Sequence, residues 1–240
     1  MLKPLIQSSL KSVGYELRRA WQPPNYKVLD VFAVCMNDLL RKTPKPFIFQ
    51  VGANDGIGAD PVRKFIVEHD LPGLLVEPLP PIFALLLKNY EHQTNLRFEN
   101  CAVTEKDGKI SLFSVDHGLI NDAQRLSGLS TFSRDQLIKD LINERVASPA
   151  SRIIETTVPG YTIGTLLKKH DISRIDVLQV DTEGFDWKVV SQVDLDFYKV
   201  QLINMEFNRL RPDEMEACLS HLTGRGFSMI QMLGDLVAYR

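Results

Sequence analysis

Phe47-Ile-Phe-Gln-Val-Gly-Ala-Asn-Asp-Gly-Ile-Gly58 is a short apolar run that feeds directly into a glycine-punctuated turn. Residues 47 to 51 read as a strand buried on both faces. Gly52, Gly56 and Gly58 remove side chains where the backbone must bend and a ligand must come close. Asp60 followed by Pro61 predicts an N-cap and the first position of a helix. Strand, tight turn and helix start together describe the edge of a nucleotide-type pocket. Glycine order narrows the ligand. A dinucleotide fingerprint wants glycines at its first, third and sixth positions, and here Asn54 and Ile57 hold the third and sixth, which argues against a pyrophosphate.

Working outward, Gly73-Leu-Leu-Val-Glu77-Pro78 reads as the next strand, with a carboxylate at its C-terminal end 25 residues after Gly52. An acid in that place can accept two hydrogen bonds from a ribose 2′,3′-diol. A ligand with a ribose and no phosphates points to S-adenosylmethionine. Strands and helices then alternate: strand 47 to 51, helix 61 to 70, strand 73 to 77, helix 81 to 92, strand 96 to 101, which is a βαβαβ half of a parallel sheet. Two β-rich runs, 109 to 115 and 152 to 158, bracket a polar stretch and a helix at 134 to 146, for which Ser133 and Gln136 predict a capping box. Alternation resumes with helix 162 to 170, strand 175 to 181, helix 186 to 193, strand 200 to 207 and a helix opened by Pro212, Asp213 and Glu214. Residues 226 to 232 and 236 to 239 read as a closing hairpin that places one strand antiparallel. The expected fold is α/β, a Rossmann-like class I methyltransferase sheet.

With 240 residues and 44% hydrophobic content, one domain is the default, burying roughly 70 to 75% of its unfolded surface. Residues 46 to 240 are expected to form it, with 1 to 45 a leading helical segment. In that segment Leu2, Leu5, Ile6, Leu10, Val13, Leu17 and Trp21 recur at helical spacing beside Lys3, Lys11, Arg18 and Arg19. The favoured reading is a helix packed on the domain or on a second copy in a homodimer, in preference to a membrane-surface or targeting segment. Residues 26 to 42 read as a second helix. A net charge of -2 excludes broad attraction to nucleic acid. No stretch has the roughly 18 apolar residues of a membrane span. Cys35, Cys101 and Cys218, three and widely spaced, suggest neither disulfides nor a zinc site, so a reducing cytoplasm is the expected setting.

Ligands of open α/β sheets gather beyond the carboxyl ends of the strands, so chemistry is sought there. Gly52, Ala53, Asn54, Asp55 and Gly56 offer backbone amides and polar groups to the methionine end of the cofactor, and Glu77 with Pro78 follows the second strand. Asn100 and Ala102, after the third, are placed to border an adenine ring. Asp181, Glu183 and Asp186 crowd the end of the strand at 175 to 181. Three carboxylates within six residues are hard to explain as packing.

Val51-Gly-Ala-Asn-Asp-Gly56, Glu77-Pro78, Ser127-Gly-Leu-Ser-Thr-Phe132, Val158-Pro-Gly-Tyr-Thr162 and Val177-Leu-Gln-Val-Asp-Thr-Glu-Gly-Phe185 together resemble the FkbM family of S-adenosylmethionine-dependent methyltransferases, over about residues 47 to 240. The resemblance implies methyl transfer, most often to a hydroxyl of a sugar, glycan or polyketide-type small molecule. It also implies that the glycine turn and Glu77 hold the cofactor, while Asp181 and Glu183 face the acceptor. Two positions depart from the family pattern: Gln50, where an Asp is common, and Thr182, where a small apolar residue is usual.

An alkyl hydroxyl attacks only as its proton leaves, so a general base is expected. Asp181 stands first by position, with Glu183, Glu206 and His117 behind it. Glu206 and Asn208 could instead join the acids in holding Mg²⁺. Ser127, Ser130 and Thr131 are candidate contacts for acceptor hydroxyls. A nicotinamide-dependent oxidoreductase and a non-catalytic adenosyl-binding protein are the competing readings; the first lacks its glycine order and the second has no need of the acids at 181 to 186.

Overall fold

A computed structural model of the chain describes residues 29–58, 60–116, 129–232 and 234–240. The helix expected at 1 to 21, His117 and Ser127 lie outside these residues. In α1 (Val31–Lys42), Phe32, Met36 and Leu39 repeat at helical spacing and are buried. Next come β1 (Ile48–Val51), α2 (Arg63–His69), β2 (Gly73–Val76), α3 (Pro80–Asn89) and β3 (Leu96–Glu99). The middle of the chain forms β4 (Ala102–Val103), β5 (Gly108–Val115), β6 (Ser130–Thr131), α4 (Arg134–Asn143) and β7 (Ile153–Tyr161). It ends in α5 (Ile163–Lys169), β8 (Val177–Val180), α6 (Asp186–Val190), β9 (Leu202–Glu206), α7 (Pro212–Thr223), β10 (Ser228–Met232) and β11 (Asp235–Tyr239).

Seven strands make the main sheet in the order β10-β11-β9-β8-β1-β2-β3. β1 pairs parallel with β2 and β8, while β11 runs antiparallel between β9 and β10. Every residue of β1, β2 and β8 is buried, as parallel strands covered on both faces must be. Alternation sorts them: Phe49, Leu74, Leu178 and Ile203 pack against α5, α6 and α7, and Ile48, Leu75, Val177 and Leu202 pack against α1, α2 and α3. Each such Leu, Ile or Phe contributes roughly 1.5 to 3 kcal/mol by leaving water. The Tyr239 hydroxyl donates to Asp38 at 2.7 Å, tying β11 to α1.

Four strands form a second sheet, β4-β7-β5-β6, on which α4 packs through Leu137 and Leu141 against Val115. The expected strand at 96 to 101 is therefore two: β3 ends at Glu99, and after Asn100 and Cys101 the chain pairs Ala102 and Val103 with β7. Other boundaries shift as well. The helix expected from 26 begins at Val31. α2 starts at Arg63 with Val62 at its N-cap, so the expected cap Asp60 lies two residues further out, accepting from the backbone N–H groups of Val62 and Arg63 at 2.9 and 3.2 Å. The capping box at α4 is half formed: Ser133 accepts from the Gln136 amide, but the Gln136 side chain turns to Asp140 instead. Among the described residues no helix is long and apolar enough to cross a membrane.

Candidate active site

Register aligns Val51 with Val76 on one side and Val180 on the other, so Gly52, Glu77 and Asp181 stand side by side just beyond three adjacent strand ends. The turn is closed by the N–H groups of Gly52 and Ala53, both donating to the Val76 carbonyl at 3.0 Å, and by the Asp181 N–H donating to Val51 O at 2.9 Å. Gly52 has φ +79°, and a Cβ there would lie 1.8 Å from the Asp181 carbonyl oxygen. Only glycine fits.

Two cavities meet at this line and share Gly52, Asn54, Asp181 and Glu183. The inner one is the smaller of the two. Glu77, Pro78, Cys101, Ala102, Val103 and Leu112 wall it, and Ser130, Thr131 and Phe132 of the second sheet close its far side. Phe132 rests edge-on against Phe185 with centroids 5.0 Å apart, joining that wall to the loop after β8. Glu77 is 5% exposed. Its two oxygens accept from the backbone N–H groups of Leu79 at 2.9 Å and Asn54 at 3.0 Å, which leaves further lone pairs for a ligand. Burial pushes Glu77 up to about 7 against the pull of those amides, and the Asp181 and Asp55 charges add to the rise. Burial likewise lifts the Cys101 thiol to about 12, which leaves it an apolar wall.

The outer cavity runs over the glycine turn and is lined by Gln50, Ala53, Asp55, Asp60, Gln179, Glu206, Asn208 and Arg209, with Leu129, Asp140, Asn143 and Glu144 on the α4 side. Its centre is a clamp. Arg209 places Nη2 2.9 Å from Glu183, Nη1 2.9 Å from Asp140 and Nε 3.0 Å from Glu206. Glu183 sits at φ +55°, a left-handed conformation uncommon for a residue with its side chain. Burial outweighs Arg209's attraction and carries Glu183 to about 8, helped by the nearby Asp181, Glu206 and Asp186 charges. Burial also raises Asp181, with Asp235 and Asp60 repelling it and Arg209 drawing it back.

The structure brings part of the expected residue set together around the two cavities. Gly52, Asn54, Glu77, Pro78 and Ala102 line the inner cavity, and Ala53 and Asp55 line the outer one. Gly56 lines neither cavity; its φ of +72° lets the turn pass the Tyr90 ring, where a Cβ would lie 2.4 Å away. Asn100 does not border a ring pocket either. Its side-chain amide donates to the carbonyls of Glu77 and Pro78 at 2.8 and 3.0 Å, fixing the turn that presents Glu77. Ser130 and Thr131, expected beside the acceptor, stand on the inner wall with Glu77. Asp186 is wholly buried and accepts from the Thr182 hydroxyl and the Gly184 N–H, so it fastens the loop, and Thr182 is explained as its partner. Sequence reasoning missed Arg209, although Glu206 and Arg209, three apart at a strand end, carried the signal. Arg209 supplies the positive charge between Glu183 and Glu206, and among the described residues no three His, Cys, Asp or Glu side chains are grouped to hold a metal ion, so the magnesium expectation finds no support.

A β3-β2-β1-β8-β9-β11-β10 sheet with its site at the strand ends of β1, β2 and β8 defines a class I methyltransferase fold. The Methyltransferase FkbM domain profile matches residues 50–229, and the chain belongs to that family. Among solved structures, the methyltransferase FkbM from Methylobacillus flagellatus KT is similar at 9% identity and a TM-score of 0.50, over 81% of this chain and 44% of that one. This chain thus spans less than half that protein's length. Precorrin-6y C5,15-methyltransferase from Geobacter metallireducens GS-15 follows at 10% identity and a TM-score of 0.42, over 88% of each chain. A comparison with curated protein sequences gave no match.

Proposed function

We propose that the protein transfers a methyl group from S-adenosylmethionine to a hydroxyl of a small-molecule acceptor, a sugar, glycan or related polyol. The observation that carries this reading is the buried Glu77 carboxylate, fixed by two backbone amides beside the Gly52 turn and facing the same cavity as Asp181. The residues present fit the cofactor. Glu77 keeps lone pairs for a ribose diol, Gly52 leaves the backbone bare, and Cys101, Ala102, Val103 and Leu112 offer an apolar slot for a base. When bound, the sulfonium supplies the methyl group and most of the driving force for its transfer.

What remains for the chain is to orient the acceptor oxygen and take its proton. Asp181 suits the second task, because it lines both cavities while Glu183 and Glu206 are held by Arg209. Its raised pKa makes it a better proton acceptor than an ordinary aspartate. Arg209 holds the neighbouring acids in place and keeps them from swinging toward the acceptor. Calorimetric titration with S-adenosylhomocysteine and with NAD tests the reading. Tight binding of the first and none of the second is expected; the reverse would identify an oxidoreductase.

A further inference from the structure

We propose that Ser130 and Thr131 of β6 read the base of the cofactor, with Phe132 covering its face, which leaves acceptor recognition to the outer cavity. The inference rests on the methyl-transfer reading and assigns residues within that site. All three line the inner cavity and none lines the outer one. Their neighbours do the opposite: Leu129, Asp140 and Asn143 line the outer cavity and not the inner. One stretch of chain thus serves both cavities, and β6 is the part of it that stands with Glu77.

The chemistry of the wall fits a base. A purine is flat, apolar on its faces and polar at its rim, so it needs apolar walls together with hydrogen bonds at the edge. Cys101, Ala102, Val103 and Leu112 supply the walls but no strong hydrogen-bonding side chain. The polar side chains that the second sheet brings to this cavity are Ser130 and Thr131, both half-buried. Register explains the placement. Phe113 pairs with Thr131 and Ser114 with Ser130, and one step further the same register sets Phe132 opposite Leu112. Phe132 packs with Ala102 and Leu112 in one cluster, so its ring stands over the slot those residues wall, and Phe185, edge-on at 5.0 Å, steadies it there. Thr131 Oγ1 accepts from the Ser133 N–H at 3.2 Å, a bond that fixes the hydroxyl and does not use its proton. A ring nitrogen can take that proton. A hydroxyl both donates and accepts, so the pair suits a rim that carries ring nitrogens beside an exocyclic amine.

The test uses the full chain with no acceptor present and reads binding by calorimetry. Wild-type protein is titrated with S-adenosylhomocysteine first; no binding would sink the methyl-transfer reading and this inference with it. Ser130→Ala combined with Thr131→Val, its fold checked by circular dichroism, is then expected to bind S-adenosylhomocysteine and 5′-methylthioadenosine about tenfold more weakly, the worth of two neutral hydrogen bonds. S-Ribosylhomocysteine, which keeps the ribose and the amino-acid arm but has no base, is expected to bind both proteins alike. Thr131→Ser keeps the hydroxyl and should match the wild type. Should the double variant not fold, Ser130→Ala alone carries the same comparison, since it removes a single oxygen. Unchanged affinity for S-adenosylhomocysteine in the folded variant would put the hydroxyls with the acceptor. A loss shared by S-ribosylhomocysteine would make them part of the wall's structure. Either result overturns the proposal.

Discussion

Glu77 combines two properties that rarely coincide, near-complete burial and a carboxylate fixed by two backbone donors. A ribose diol donates hydrogen bonds and favours the ionised form, so cofactor binding should pull a proton off a group poised at about 7. S-adenosylhomocysteine affinity is therefore expected to weaken as pH falls from 8 to 6, and to lose that dependence in Glu77→Gln. Glu77→Ala should cost roughly 1.5 to 3 kcal/mol of binding, the value of a charged acceptor; unchanged affinity in a folded variant would remove the ribose assignment. Asp181→Asn keeps size and removes charge. It should bind S-adenosylhomocysteine normally and turn over about 10²-fold more slowly or worse, and near-normal turnover on an acceptor would discard it as the base. Glu77 and Asp181 could be picked from the sequence because each ends an apolar run, and the end of a parallel strand is where ligands collect. Gly56 and Asn100 stand outside both cavities for one reason: a turn needs residues that hold it as well as residues that face the ligand, and a linear sequence shows both as polar or small.

At the scale of elements, Arg209 joins parts distant in sequence: α4 through Asp140, the loop after β8 through Glu183, and the end of β9 through Glu206. Replacing it with Met leaves three carboxylates facing one another. The expected loss is roughly 2 to 4 kcal/mol, below that of a fully buried pair, read as a lowered denaturant midpoint. Arg209→Lys should recover only part of this, because a point charge cannot span three partners. Gly52→Ala should fail to fold or aggregate, its Cβ meeting a carbonyl that cannot retreat without breaking the β1–β8 pairing; a soluble variant with native circular dichroism would contradict this. The alternating strands of the main sheet were legible because apolar runs and turn residues repeat at βα spacing. The second sheet was not, since nothing local in Glu99-Asn-Cys-Ala-Val103 tells a continuing strand from one that changes partner; only the β4–β7 pairing decides it.

Across the whole molecule, burial sets a pH response. Glu77 and Asp186 sit at about 7 and Glu183 at about 8, against ordinary values of 4.5 for Glu and 3.8 for Asp. Raised values mean that the folded protein binds more protons than the unfolded chain between those limits. Their contribution to stability is complete below about pH 4 and is lost as pH climbs through 7 to 8. Carboxylates held low by partners, Glu99 and Asp107 among them, act the other way and weaken the fold in acid. The unliganded protein should therefore melt highest near pH 5 and progressively lower toward pH 8.5 in a thermal-shift series at constant ionic strength, and a melting temperature that rose across that interval would refute it. The sheet order also sets a timetable for assembly. β11 lies between β9 and β10, although both precede it in sequence. Until Asp235–Tyr239 docks, β10 has no neighbour to bond and β9 presents an open edge, so both strands wait on a third. Central pairings such as Ile48 with Val177 likewise close a long loop before any reward is gained. In pulse-labelling hydrogen exchange, β10 and β11 should gain protection together and late, which makes the β9 edge the surface where a half-folded chain captures another copy of itself.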